Sequence, residues 1–125
     1  MKMLENGAIE IARDRRKSDG ACYVLAMRQG ALELPEYVTW RAWIVSASDG
    51  VNLTAEGYDH GCYFLDILSA AYSFNHRLDR PSRLISEEMV VMARQVVDSD
   101  ERTVEDTLSL AHDLADRVIG RGARG

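Results

Sequence analysis

Residues 37–78 carry most of the aromatic side chains, and this segment constrains the fold more than any other part of the chain. Both tryptophans, both phenylalanines and four of the five tyrosines lie in it. It opens with an apolar strand pattern, and the run from His60 to Phe64 leads directly into a helical pattern. Because aromatic side chains dominate the energetics of protein cores, we expect this strand-to-helix unit to build the interior.

Apolar runs rich in β-branched and aromatic residues predict an antiparallel sheet of three or four strands. Three of them lie at about residues 21–28, 36–46 and 51–64. Asp49–Gly50 favours a tight hairpin between the last two strands, because this dipeptide tolerates the positive φ angles of such turns.

Two stretches of the sheet region are irregular. Gly57 and Gly61 lie inside the third strand pattern and predict a bulge or a short break there. Residues 8–17 fit either a short helix or a further strand, and we favour the helix.

The two faces of the second strand differ in polarity. One face is wholly apolar and is predicted to meet the core: Val38, Trp40, Ala42 and Ile44. The other face is amphipathic and is predicted to be half covered: Tyr37, Thr39, Arg41 and Trp43.

Apolar residues at helical spacing predict three helices after the sheet, at about residues 66–79, 86–98 and 101–119. Asp66 and Ser86 precede the first two patterns and are predicted N-caps. The fold class is therefore α+β, with a small antiparallel sheet followed by three helices.

The third helix is predicted to be capped by residues 98–100 and to stop at Gly120. Beyond it we expect residues 121–125 to form a disordered tail. No linker or repeat divides the chain, so residues 1–125 are predicted to be a single domain.

Composition indicates a cytosolic protein. The N-terminus has no apolar run that could serve as a signal peptide, and no stretch reaches the roughly 18 apolar residues of a membrane span. The two cysteines, Cys22 and Cys62, are expected to be reduced, buried thiols. We expect no cofactor and no metal, because the histidines and cysteines lack the paired spacing of ligand sets.

The net charge of −5 is unevenly distributed. Nine acidic residues lie between Glu87 and Asp116, opposed by two arginines. On the third helix four of them form a column at helical spacing: Glu101, Glu105, Asp113 and Asp116. Such a column favours a partner protein with a basic surface.

Asp59, His60 and Cys62 are the best candidates for catalysis. A nucleophilic cysteine needs a base within hydrogen-bond reach, and residues two apart on a strand share a face. The alternation therefore predicts that His60 and Cys62 point to the same side. The competing interpretation, which we favour, is that Cys62 is a buried structural thiol.

An aromatic surface with a cation beside it is a second candidate: Tyr37, Arg41 and Trp43. Together with the basic cluster at residues 13–17 it would suit a nucleic acid, because bases stack on aromatic rings. The acidic net charge argues against nucleic-acid binding, and we favour packing beneath helices or against a second copy of the chain.

The strand Tyr37–Val38–Thr39–Trp40 and the turn Gly61–Cys62–Tyr63–Phe64–Leu65–Asp66 carry a resemblance to known proteins. The pattern, over about residues 37–77, is similar to small uncharacterised proteins of phages, plasmids and integrative mobile elements. The resemblance implies a genomic setting that includes inhibitors of host defence, and it assigns no activity or functional residue.

Three functions follow from these observations. The first is a non-enzymatic, cytosolic protein that binds another protein, in its sharpest form an anti-CRISPR or other anti-defence inhibitor. The second is a small cysteine-dependent enzyme that uses Cys62 and His60. The third is a nucleic-acid-binding regulator. Homodimerisation is compatible with each of them, because such a sheet has exposed edges.

Overall fold

The computed structural model describes residues 2–4, 6–29, 35–46, 54–98 and 103–120. Within these ranges an antiparallel sheet precedes the helices, which confirms the predicted α+β class. The strands are β1 (Lys2–Met3), β2 (Ile9–Arg15), β3 (Cys22–Gln29), β4 (Pro35–Ser46) and β5 (Thr54–Phe64). The helices are α1 (Ile67–Arg77), α2 (Glu87–Asp98) and α3 (Val104–Ile119). Each strand pairs with its neighbour in sequence, so the sheet order is β1-β2-β3-β4-β5.

Residues 9–15 form β2, so the helix favoured for residues 8–17 is wrong. The pairing of β2 with β3 shifts register between Glu10 and Ala12, which inserts Ile11 as an extra residue. Ile11 and Ala12 are therefore both buried, although they are adjacent in sequence. A bulge of this kind breaks the period-2 pattern and imitates the spacing of a helix.

The helices cover one face of the sheet. α1 packs on β3, β4 and β5, α3 packs on β2, and α2 packs against α3 and α1. The core between the layers includes Leu25 and Tyr37 from the strands and Phe74 and Leu114 from the helices. Thr39 is also buried there, and its hydroxyl lies 3.3 Å from the Ser73 hydroxyl of α1. This contact explains how a polar strand residue can face the helices.

The apolar face of β4 is buried at Val38, Trp40 and Ala42, as predicted, but the core between the sheet and the helices contains residues of the other face. Tyr37 and Thr39, from the amphipathic face, lie beneath the helices. Val38, Trp40 and Ala42 belong to a second buried cluster, which is built from strand residues together with Leu4 and Ala8. Aromatic side chains also surround Trp40: the ring of Tyr58 is 5.4 Å away and that of Tyr63 is 6.5 Å away. An apolar strand face thus indicates burial, but not which layer buries it.

The bulge predicted from the glycines of β5 is confirmed. Thr39 pairs with Cys62 and Arg41 pairs with Asp59, so two residues of β5 oppose the single residue Trp40. His60, one of the two, has a φ of 52°. This left-handed conformation is unusual for a residue with a side chain.

The helix ends largely follow the predictions. The Asp66 side chain accepts hydrogen bonds from Leu68 N and Ser69 N, and the Ser86 hydroxyl accepts one from Met89 N at 3.2 Å. The start predicted for α3 is wrong: its N-cap is Thr103, whose hydroxyl accepts from Asp106 N. Gly120 ends α3 as predicted, with a φ of 92°. Three predicted features lie outside the described residues: the turn at residues 47–53, residues 99–100 of the cap predicted for α3, and the tail at residues 121–125.

Candidate functional site

The bulge in β5 decides the geometry of the catalytic candidates. Asp59 and Cys62 pair with Arg41 and Thr39, which are two residues apart on β4 and therefore share a face. The extra residue turns His60 away from that face, so the prediction that His60 and Cys62 point to the same side is wrong. The His60 side chain is 68% exposed, and its Nε2 lies 4.0 Å from the Asp59 carboxylate.

Cys62 has a cationic neighbour instead of a base. Arg77 Nη2 lies 2.8 Å from the Cys62 sulfur and also donates to the carbonyl oxygen of His60. The Arg77 guanidinium lies 5.6 Å from the centre of the Tyr23 ring. Arg77 thus joins the end of α1 to the β5 bulge and to β3. A guanidinium cannot accept the proton of a thiol, so this arrangement supports the enzyme hypothesis poorly.

The predicted aromatic surface is divided between core and surface. Tyr37 is 1% exposed, so it cannot form part of a surface, and burial raises its pKa to about 12. Trp43 is 45% exposed. A Cβ built on Gly57 would lie 2.8 Å from the Trp43 ring, so the indole rests directly on the glycine backbone of β5. Gly57 therefore permits an aromatic ring to lie flat against the hairpin.

Arg41 is held by a two-point ion pair beside Trp43. Its Nε and Nη2 donate to the two Asp59 carboxylate oxygens at 3.0 and 2.7 Å. These hydrogen bonds lower the pKa of Asp59 below its ordinary value, and a hydrogen bond from Trp43 contributes in the same direction. The same contact raises the pKa of Arg41. Arg41, Asp59 and Trp43 are therefore one charged and aromatic unit on the β4–β5 hairpin.

The acidic column on α3 is only partly available. Glu105 is exposed in the first turn, whereas Asp113 lies 3.2 Å from Arg117 in an ion pair. Asp116 is half-buried and already has an interaction partner. Glu101 lies outside the described residues. Partner binding by the acidic column remains a hypothesis. Part of the negative charge of the column is neutralised by Arg117 of the same helix.

Sequence reasoning missed a groove between α1 and α2. The α1–α2 groove has a volume of about 800 Å³ and is partly open to solvent. Its apolar lining comes from the end of β5, from both helices and from the segment that joins them: Phe64, Leu68, Tyr72, Ile85, Val90 and Ala93. Its polar lining is sparse: Asp66, Ser69, Ser73, His76 and Arg94.

Large apolar side chains of the groove remain in contact with solvent. Tyr72 is 56% exposed and Ile85 is 42% exposed. Leu65 and Leu84, which adjoin groove residues in sequence, are also exposed. A concentration of exposed apolar side chains around one concave surface is typical of an interaction site.

One signal in the sequence could have revealed the groove. The apolar stripe predicted for the first helix runs through Ile67, Ala71, Phe74 and Leu78, and Tyr72 lies off it. An aromatic residue on the solvent side of an amphipathic helix does not pack into the core that the apolar stripe of the helix contacts. Ile85, which directly precedes the N-cap Ser86, lines the same groove.

The described residues contain neither a metal-ligand group nor a membrane-spanning helix. In the part of the chain that the structure describes, no three histidine, cysteine or acidic side chains are grouped as metal ligands would be. Nor does any helix in the described ranges combine the length and the hydropathy that a membrane crossing requires. No protein-family model, no curated protein and no solved structure matches the chain.

Proposed function

We propose that this chain is a non-enzymatic protein that binds another protein through the α1–α2 groove. The observation that carries the proposal is the exposure of Tyr72 and Ile85 within a concave apolar surface of about 800 Å³. Interface energies are concentrated in a few large side chains near the centre of a contact, and tyrosine is among the commonest. Tyr72 is the best candidate for such an anchor.

An amphipathic helix of the partner is the ligand that suits this shape. The groove runs between two helices, and its exposed edge on α1 carries Ser69, Tyr72 and His76 at i, i+3 and i+7. Helix-in-groove binding uses apolar side chains of the ligand at the same spacing. Leu68, Val90 and Ala93 provide the apolar surface that those side chains would contact.

Exposed acidic residues at the starts of α2 and α3 favour a partner with basic residues beside its apolar face. Glu87 and Glu88 are exposed in the first turn of α2, and Glu105 and Asp106 are exposed in the first turn of α3. Such charges increase the rate of association with a basic partner more than they increase affinity. The acidic column on α3 thus has a steering role in this proposal, and the groove provides the binding energy.

An inhibitor of host defence is the specific form of this proposal. Its support is the resemblance of residues 37–77 to proteins of mobile elements, together with the small size and acidic charge of the chain. The proposal places the protein in the cytoplasm, where Cys22 and Cys62, both free thiols in the structure, would stay reduced.

The test begins by identifying the partner. A photo-crosslinking amino acid at Ser69, which is exposed in the groove, should capture one protein in the cells that express this gene. The partner is then purified and titrated calorimetrically with the wild-type chain and with Tyr72→Glu. We expect the variant to weaken the Kd at least 30-fold, corresponding to about 2 kcal/mol.

Val91→Glu is the matched control, because Val91 is also an exposed apolar residue of a helix but does not line the groove. It should leave the Kd within about threefold of wild type. Reversal of charge at Glu101, Glu105, Asp113 and Asp116 should mainly slow association. If Tyr72→Glu binds normally while the charge reversal abolishes binding, the acidic column is the docking surface and the groove proposal is wrong. Cross-linking only to a second copy of the chain would identify a dimer interface instead.

A further inference from the structure

Leu84 is the most exposed large apolar side chain of the described residues, at 97%. It lies in the segment that joins α1 to α2, and the next residue, Ile85, is 42% exposed. A leucine that remains in water contributes no burial energy to the fold of its own chain. Its apolar surface is therefore available for a contact with another molecule.

The backbone around Leu84 is fixed on both sides. Before it, the N–H of Arg83 donates to the carbonyl oxygen of Val118 in α3 at 2.9 Å. After it, the Ser86 hydroxyl caps α2 by accepting from Met89 N. The segment thus holds Leu84 in one place before any contact forms, which lowers the entropy that a binding event must overcome.

Charges of opposite sign flank the two apolar residues. Arg83 is exposed on one side, and Glu87 and Glu88 are exposed in the first turn of α2 on the other. Arg83 and Glu87 are each two residues from Ile85 in the sequence. In a two-fold contact between identical chains, the same patch meets itself in the reverse direction. A contact centred near Ile85 would therefore bring Arg83 of each copy to Glu87 of the other.

We propose that these four residues, Arg83, Leu84, Ile85 and Glu87, here called the Leu84 patch, bind the same patch of a second copy of the chain. The apolar side chains pack across the two-fold axis, and each Arg83 forms an ion pair with Glu87 of the other copy. A second copy suits the patch better than a different protein does, because the patch carries both charges in the order that its own two-fold image requires.

The dimer has a consequence for the α1–α2 groove. Ile85 belongs both to the Leu84 patch and to the lining of the groove, so a second copy and a partner protein compete for it. This consequence rests on the proposed function, whereas the dimer itself does not. Because the dimer is measured on the purified chain alone, its failure and the failure of the groove proposal are distinguishable.

The first test is sedimentation velocity of the wild-type chain over concentrations from about 1 µM to about 500 µM. We expect a monomer–dimer equilibrium with a Kd of about 10–100 µM, because a contact of this kind falls at the small end of protein interfaces. Leu84→Glu should weaken the Kd at least 30-fold, by about the effect of removing a central apolar side chain. Since Leu84 is almost fully exposed, this variant should fold as the wild type does.

Val104→Glu is the matched control, because Val104 is an exposed apolar residue of α3, with 62% exposure, and lies outside the Leu84 patch. It should leave the Kd within about threefold of wild type.

A charge exchange tests the arrangement of the two copies. Arg83→Glu and Glu87→Arg should each weaken self-association about tenfold, because like charges then meet twice in each dimer. A mixture of the two variants should form a heterodimer with a Kd within about threefold of wild type, since both ion pairs are then restored in reversed form.

Three results would overturn the proposal. One is a wild-type chain that stays monomeric at about 500 µM. Another is a dimer that Leu84→Glu leaves intact, which would place the contact on a different surface. The last is a mixture of the charge variants that associates no better than either variant alone, which would show that Arg83 and Glu87 do not face each other.

Discussion

Tyr37→Phe tests whether the Tyr37 side chain belongs to the core or to a surface. The residue is 1% exposed beneath the helices, and its hydroxyl has no hydrogen-bond partner among the described residues. A buried polar group without a partner costs about 1–3 kcal/mol of stability. Phenylalanine keeps the ring and removes the hydroxyl. We therefore expect Tyr37→Phe to raise the free energy of unfolding by about 1 kcal/mol at pH 8.

The pH dependence of the unfolding free energy provides a second, independent test of the burial of Tyr37. Burial raises the pKa of Tyr37 from its ordinary value of 10.0 to about 12 in the folded protein. Burial penalises the charged phenolate more than the neutral phenol, so no loss of stability arises below pH 10, and stability falls as the pH rises from there through the folded pKa. Between pH 8 and pH 11 the wild type should lose about 1.3 kcal/mol relative to the phenylalanine variant.

The measurement is urea denaturation followed by far-UV circular dichroism at pH 8 and pH 11. Tyr72→Phe serves as the control, because Tyr72 is half exposed and its hydroxyl should matter little to stability. If Tyr37→Phe is less stable than wild type at pH 8, the hydroxyl has a stabilising partner and the reasoning fails. A stability difference that stays constant with pH would refute the raised pKa.

Three further variants test other parts of the fold by the same denaturation assay. Asp66→Ala removes the acceptor of two backbone N–H groups at the start of α1 and should cost about 1 kcal/mol, whereas Asp66→Asn should retain most of the stability. Arg77→Ala should cost about 2 kcal/mol, because it removes the donor to the β5 bulge and to Cys62; an unchanged stability would contradict its structural role. Arg16 lowers the pKa of Asp19 to about 2, so wild type should exceed Asp19→Asn in stability above about pH 4, and this difference should shrink as the pH falls through 2. A difference that is as large at pH 2 as at pH 5 would show that the ion pair is not its cause.

Local signals in the sequence predicted much of the secondary structure. The first turn of a helix needs acceptors for its free N–H groups, so Asp66 and Ser86 could be recognised as caps from their positions alone. Gly120 could be recognised as a stop for a similar reason, because its left-handed φ suits glycine. Each of these features depends on residues within one helical turn of each other. They are therefore close together in the sequence and can be recognised from it.

The bulges mark where local reasoning failed. The extra residue Ile11 made β2 look helical, and the extra residue in β5 moved His60 away from Cys62. In both places a single inserted residue exchanges the faces of all residues beyond it. The glycines of β5 indicated that a bulge was present, but its register depends on the partner strand β4.

The sequence by itself determined the α+β fold class and, from β3 onwards, the succession of three strands and three helices, because periodicity, caps and turn residues act over short distances. The tertiary structure decided which face of β4 the helices cover, since buried residues lie on both faces and only packing distinguishes them. It also decided that Tyr72 borders a groove. The groove combines residues of β5, α1 and α2 that are distant in the chain, so its formation depends on how the helices pack and not on any local pattern.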